Sequence, residues 1–224
     1  PGSWTTEDLM QIALQMAGQT RVPPDSRIYV PGEGISRLLC GIDMGVAELD
    51  LASRLGFHCV LAHHPQLAVL TFPEIVDRHA ELMVSAGVPL SAAQEAVAAI
   101  KEPLLVRYHS GNYDHAPSFA RLLGMPYLNI HNPLDEIGRR RMQAAIDAAV
   151  QPDDPVSAVI EALLTIPEFA KAPTKPLLVM GSPGDPAGRV LVLHGAGTNG
   201  GYHVARCCFE HGIETVVYLH CDYG

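Results

Sequence analysis

The 224 residues, 48% hydrophobic and 17% charged, suffice for one ordinary domain or two smaller halves, which excludes global disorder. A net charge of −9, from 15 Lys+Arg against 24 Asp+Glu, argues against a nucleic-acid binder held by phosphate neutralisation. No apolar run reaches the roughly 18 residues of a membrane span, and Asp8, Gln11 and Gln15 interrupt the first stretch, so no secretion signal is read there. Thr5-Thr6-Glu7-Asp8 ahead of Leu9, Ile12, Ala13, Met16 and Ala17 predicts a capped amphipathic helix, stopped by Gly18 and the Pro23-Pro24 turn. Ser36 to Asp43 reads as a buried strand and Val46 to Leu55 as a helix closing at Gly56. Phe57 to Ala62 is a second strand, stopped by His63-His64-Pro65. Strand, helix and strand in such short succession make a βαβ unit with a parallel pair.

Pro73 to Ala86 predicts a helix opened by its proline and closed by Gly87, and the alanine-rich Ser91 to Ile100 a second one. Val106 to Ile130, broken by Gly111, Pro117, Gly124 and Pro126, reads as short pieces of strand and helix. Asn132-Pro133 then opens a helix to about Val150, with Asn132 as N-cap and Pro133 at N1. A further helix covers Val156 to Leu164. A Pro-rich linker around 167–188 carries one apolar run, Leu177 to Met180. The tail repeats the opening grammar: strand Arg189 to His194, glycine loop Gly195 to Gly201, helix Tyr202 to His211, strand Thr215 to Leu219. The fold class expected is α/β, with two interlocked βαβ-containing halves, 1–130 and 131–224, and mixed or mainly parallel sheets. The chain stops five residues after a buried strand, and further sequence is expected beyond it.

Five cysteines without a Cys-x-x-Cys pair read as reduced thiols of a cytoplasmic protein, not as a zinc site. Eleven histidines direct attention elsewhere, because histidine is the commonest metal-ligating side chain. His63 and His64 stand just beyond a strand end, where ligands of open α/β sheets gather. Adjacent strand residues point to opposite faces, so the two imidazoles suit two ions better than one, and Pro65 keeps His64 extended. By the local pattern alone they read first as polar loop residues capping the strand end. Asp135, expected at N3, suits the positive end of a helix dipole by itself; it also suits a metal, with His131 beside it. Imidazole and carboxylate donors without thiolate favour Zn²⁺, Mn²⁺, Fe²⁺ or Co²⁺.

Other patterns compete. Gly195-Ala196-Gly197-Thr198-Asn199-Gly200, between strand and helix with Asp222 after the next strand, satisfies the context of a dinucleotide fingerprint, and reads also as an anion site or a tight turn. Arg139-Arg140-Arg141 fan out by about 100° each on a helix and so read as a solvated or intersubunit face. Tyr108 to His115 is either an ordinary loop or a pocket lining, with His109, Asp114 or His115 as acid or base. His203 and His211 read as surface residues, and Cys207-Cys208 as packing.

Taken together, Ile42-Asp43 closing a strand, a helix, then Cys59 to Pro65 ending in His-His-Pro, and His131 with Asp135 as a His-x-x-x-Asp box resemble the NIF-three-like (NGG-one-interacting factor) family, also labelled GTP cyclohydrolase I type 2 homologue. Val190 to Gly197 is similar to that family's C-terminal half. The resemblance implies a dinuclear metal site of divalent ions (Zn, Mn, Fe, Co or Mg) in a toroidal homohexamer, with His63, His64 and Asp135 as ligands and His131 close by. Three departures stand out: Asn132-Pro133 replace the usual Thr-Asn, the long Tyr108 to Asn129 stretch differs from the usual short approach to the box, and the family's further His and acidic residue fall beyond Thr215 to Leu219. The function expected is a metal-dependent hydrolase acting on a small molecule or nucleotide, GTP by the family label, with His109 or His115 moving the proton. A non-enzymatic metal carrier or ring-shaped scaffold needs the same ligands. A nicotinamide-dependent oxidoreductase rests on Gly195 to Gly200 alone. Neither a nucleic acid nor a membrane is expected as a partner.

Overall fold

A computed structural model describes residues 3–66, 74–195 and 200–221. The elements run α1 (Thr6–Ala17), β1 (Arg27–Val30), β2 (Leu38–Gly41), α2 (Val46–Arg54), β3 (Cys59–Ala62), α3 (Asp77–Ser85), α4 (Leu90–His109), α5 (His115–Leu123), β4 (Tyr127–Asn129), α6 (Asn132–Ala149), α7 (Val156–Leu164), α8 (Pro167–Lys171), β5 (Val190–Val192), α9 (Gly201–Glu210) and β6 (Thr215–Val217). The protein is therefore α/β, with mainly parallel strand pairing. No helix among the described residues is long and apolar enough to cross a membrane.

The chain divides into two compact units, one of residues 1–76 and 101–137, the other of 77–100 and 138–224. Each takes two separate stretches, with one boundary at the start of α3 and the others inside α4 and α6. The first unit holds a four-stranded sheet in the order β1-β4-β3-β2. β2 pairs with β3 and β3 with β4 in parallel, and β1 closes one edge antiparallel to β4. Successive strand residues face opposite ways, and both faces are covered. Val60, Ala62 and Tyr127 pack with Leu49 and Ala52 of α2 and Ala116 and Ala120 of α5. Cys59 and Leu128 pack on the other side with Met10, Ala13 and Leu14 of α1. Burial on both faces explains why Cys59 to Ala62 lacks apolar–polar alternation.

The α1 helix starts as its sequence dictates. Thr5 Oγ1 accepts from the Asp8 amide at 3.1 Å, and Asp8 Oδ2 accepts from the Thr5 amide at 2.9 Å. In the second unit β5 and β6 pair in parallel, and Met142, Ile146, Val159, Leu163 and Val192 form the core.

Three local expectations are corrected. Strand β1 was not anticipated: it is only four residues long, and its pairing partner lies a hundred residues on, with a register shift between Ile28 and Val30 that bulges Tyr29. The helix expected to stop at Ile100 continues through Pro103 to His109. A proline removes one backbone bond, but the helix formers Lys101, Glu102, Leu104 and Leu105 around it carry the chain on. At α6 the cap is His131, not Asn132, because the His131 carbonyl accepts the first helical bonds, from Leu134 at 3.0 Å and Asp135 at 3.1 Å. Asp135 thus stands one position deeper than N3, still in the first turn.

Candidate metal centre

Past Ala62 the chain stays tied to the end of β2. The His63 amide donates to the Gly41 carbonyl at 2.9 Å and the His64 amide to the Ile42 carbonyl at 2.9 Å. The strand alternation ends there, so the two adjacent imidazoles can turn towards each other, with ring centroids 5.3 Å apart. The neighbouring strand β4 leads directly into His131, whose ring lies 4.6 Å from that of His63 and 5.6 Å from that of His64. One ring nitrogen from each of the three histidines falls within 4.8 Å of the others, a grouping able to hold a metal ion.

Asp135, one helical turn beyond His131, faces two of these histidines. Its Oδ1 stands 3.1 Å from His63 Nε2 and its Oδ2 3.6 Å from His131 Nε2. A tetrahedral ion with bonds of about 2.0–2.2 Å separates its donors by about 3.3–3.6 Å, a spacing close to the two Asp135 contacts and shorter than the 4.8 Å within which the three ring nitrogens lie. Each imidazole is also held from behind through Nδ1. His131 Nδ1 meets Asp25 Oδ2 at 2.7 Å, His64 Nδ1 meets Asp43 Oδ1 at 2.7 Å, and His63 Nδ1 meets the Ile130 carbonyl at 3.1 Å. An ionised carboxylate and a carbonyl only accept, so Nδ1 is the donor in all three, while the Nε2 atoms of His63 and His131 face Asp135.

Burial works to lower the pKa of His63, yet the hydrogen bond and charge of Asp135, helped by the Ile130 carbonyl and Asp25, outweigh it and hold the imidazole above its ordinary value. Buried polar side chains concentrate here: Asp25, Ser26, Asn129, His131, Asn132 and Asp135. They are braced by hydrogen bonds, as buried polar groups require. Tyr29, turned by the β1 bulge, donates to Asn129 Oδ1 at 2.6 Å and accepts from the Gln66 amide at 2.9 Å. Asn129 Nδ2 in turn donates to the Asp25 carbonyl at 2.7 Å. Gln19 Nε2 fixes Asn132 Oδ1 at 2.6 Å.

The structure thus brings together His63, His64, His131 and Asp135 of the residues singled out in the sequence. His109 ends α4 and His115 opens α5; both are exposed, and neither belongs to the three-histidine group. Asp114 has a local task, since Ser118 Oγ and Arg121 donate to its carboxylate at 2.6 and 2.5 Å. Those bonds, first Ser118 and then Arg121, hold its pKa below the usual carboxylate range. Arg141 is engaged by Glu168 through two 3.0 Å bonds. Cys207 and Cys208 are buried, His203 is exposed, and His211 Nδ1 bonds the Cys207 carbonyl at 2.8 Å. Burial pushes the Cys59 and Cys208 thiols up to about 12, so neither offers a thiolate near neutral pH.

Ala196 to Asn199 of the glycine loop, and Asp222 after it, lie outside the described residues. At Gly200 a Cβ would sit 2.4 Å from that of Val204, so helix packing already requires this glycine. The residue that escaped sequence reading is Asp25. It follows two prolines in an apparent turn, and its burial and its bond to His131 exist only in the folded chain.

A crystal structure of a NIF3 superfamily protein from Sphaerobacter thermophilus matches this chain with a TM-score of 0.95 and 47% sequence identity, covering 100% of this chain and 83% of that one. No family model matches the sequence, and no match was found among curated proteins.

Proposed function

The chain belongs to the NIF3 superfamily, and from that premise we propose that it is a metal-dependent hydrolase holding two divalent ions at His63, His64, His131 and Asp135. The observation that carries the reading is the arrangement of donors: three imidazoles anchored through Nδ1, and a carboxylate whose two oxygens face the Nε2 atoms of two different histidines. A carboxylate so placed suits a pair of neighbouring ions. Divalent ions held there supply Lewis acidity, which acidifies water and polarises an oxygen of the substrate.

The chain's own groups do the rest. The Ile130 carbonyl, Asp43 and Asp25 fix the rings of His63, His64 and His131 before anything binds, so little reorganisation is needed. The proton that His63 shares with Asp135 must leave Nε2 when a cation takes its place. In this reading His109 and His115 are the groups that exchange a proton between solvent and substrate, and the substrate is a small molecule or nucleotide with an electrophilic carbon or phosphorus.

The test is a hydrolysis screen, nucleotides included, on protein carrying measured metal, beside chelated protein and His64→Ala. Expected are near two equivalents of metal and a turnover that both treatments abolish. Turnover that survives both sinks the proposal. A carrier role has one observation in its favour, the 44% exposure of the His64 side chain, which gives an ion a way out. Rapid metal exchange without turnover on any substrate would favour that reading.

A further inference from the structure

Asp25 and Asp43 both hold a histidine of the cluster through Nδ1 at 2.7 Å, but in opposite surroundings. The Asp43 side chain is 80% exposed and that of Asp25 is 0% exposed. A charged hydrogen bond in water contributes little, because solvent competes for both partners. The same bond away from water is stronger, and it fixes the geometry of both groups. Asp25 is itself held: the Asn132 amide and Ser26 Oγ each approach Oδ1 at 3.4 Å, while Asn129 Nδ2 pins its carbonyl. Ser26 Oγ also accepts from the His131 amide at 2.9 Å. The backbone before β1 and the residues that open α6 are thereby locked together around one imidazole.

We infer that Asp25 is a positioning residue for the metal centre, which keeps the proton of His131 on Nδ1 and makes its Nε2 a stronger and better-aimed donor. The inference rests on the metal-site reading above. Asparagine at position 25 keeps the shape but removes the charge and replaces one acceptor with a donor. If its oxygen still faces His131, its amide nitrogen meets the Asn132 N–H and the Ser26 hydroxyl. If it turns over, it donates to His131 Nδ1 and forces the proton onto Nε2, where no metal can bind. Either orientation weakens the site.

The experiment titrates Co²⁺ into metal-free wild type, Asp25→Asn and Asp43→Asn, following the visible d–d bands. Circular dichroism of each protein without metal reports folding. Asp25→Asn is expected to bind about 10–100-fold more weakly, the usual cost of losing a partner behind a ligand, with shifted bands; Asp43→Asn, whose bond already competes with solvent, also weakens binding but by less than Asp25→Asn does. A double-mutant cycle with His131→Ala separates positioning from general damage: once His131 is gone, Asp25→Asn should cost nothing further. Should Asp25→Asn fail to fold, the nitrogen-15 shifts of His131 in alkaline, metal-free wild type decide. A proton on Nδ1 supports the inference and a bare Nδ1 overturns it. Unchanged affinity and bands in a folded Asp25→Asn also overturn it, and leave the metal site standing. Wild type that takes up no Co²⁺ overturns both.

Discussion

Asp135 Oδ1 lies 3.1 Å from His63 Nε2, and this one contact sets the sign of the pH behaviour expected of the site. The His63 pKa is raised above its ordinary 6.5, burial opposing and Asp135 prevailing. Above pH 6.5 the folded chain therefore binds more protons here than the unfolded chain does. The stabilisation is complete below the unfolded value and is lost as pH rises through the folded one. Chelated protein should lose stability in urea across that window, and His63→Gln should flatten the dependence. A urea midpoint that rises with pH in wild type and not in the variant contradicts the assignment. Metal affinity must run the other way, strengthening as pH rises, because the ion displaces the proton.

Asp135→Asn tests the carboxylate directly. The amide is isosteric but carries no charge, so it neither holds the His63 proton nor neutralises a cation. Metal affinity should fall by at least the roughly 10–100-fold that loss of an outer partner costs. The pH dependence of stability described above should disappear with it. Calorimetric metal titration and urea unfolding read the two effects separately, and wild-type affinity in the variant would remove Asp135 from the ligand set.

Leu49, fully buried between α2 and the sheet, addresses the support beneath the site. Leu49→Ala removes a large side chain from a packed core and should destabilise the protein by about 2–5 kcal/mol. His63, His64 and His131 are held by hydrogen bonds to Asp25, Asp43 and the strand ends, none of which involves Leu49. Metal stoichiometry in the folded variant should therefore equal that of wild type. A loss below about 1 kcal/mol in chemical denaturation would mean that the core relaxes around the cavity far more than such cores do.

What the sequence made legible was local. His63-His64-Pro65 ends an apolar run, and His131 precedes a helix start, so strand-end and helix-start chemistry marked both before any pairing was known. The cap at α6 was misplaced by one residue because it depends on which carbonyl accepts the first helical bonds, and a sequence shows side chains only. Asp25 was illegible for a deeper reason: its partner His131 is 106 residues away, joined to it by the antiparallel pairing of β1 with β4. Strand β1 was itself too short to declare itself, and so was the bulge that aims Tyr29 at Asn129. Local signals singled out the histidines that cluster, while the groups that orient them emerge only from tertiary pairing.

Gly188 and Gly212 offer a paired test of the second unit. Both have positive φ, 58° and 74°, where an L side chain costs about 1–2 kcal/mol. Around Gly212 a Cβ would meet nothing within 4 Å, whereas at Gly188 it would lie 2.5 Å from the Cβ of Glu214. Glu214 cannot easily yield, because its Oε2 accepts from the Arg189 amide at 2.7 Å and its own amide donates to the Arg189 carbonyl at 3.1 Å. Those bonds start the pairing of β5 with β6. Gly212→Ala should therefore cost only the conformational strain, and Gly188→Ala that strain plus the displacement of Glu214, so the second variant unfolds at distinctly lower urea. Metal content per folded chain should be unchanged in both, since the cluster and its anchors come from residues 25–135. Equal destabilisation by the two substitutions would show that Glu214 moves aside freely and that its bonds to Arg189 contribute nothing to holding the pair of strands.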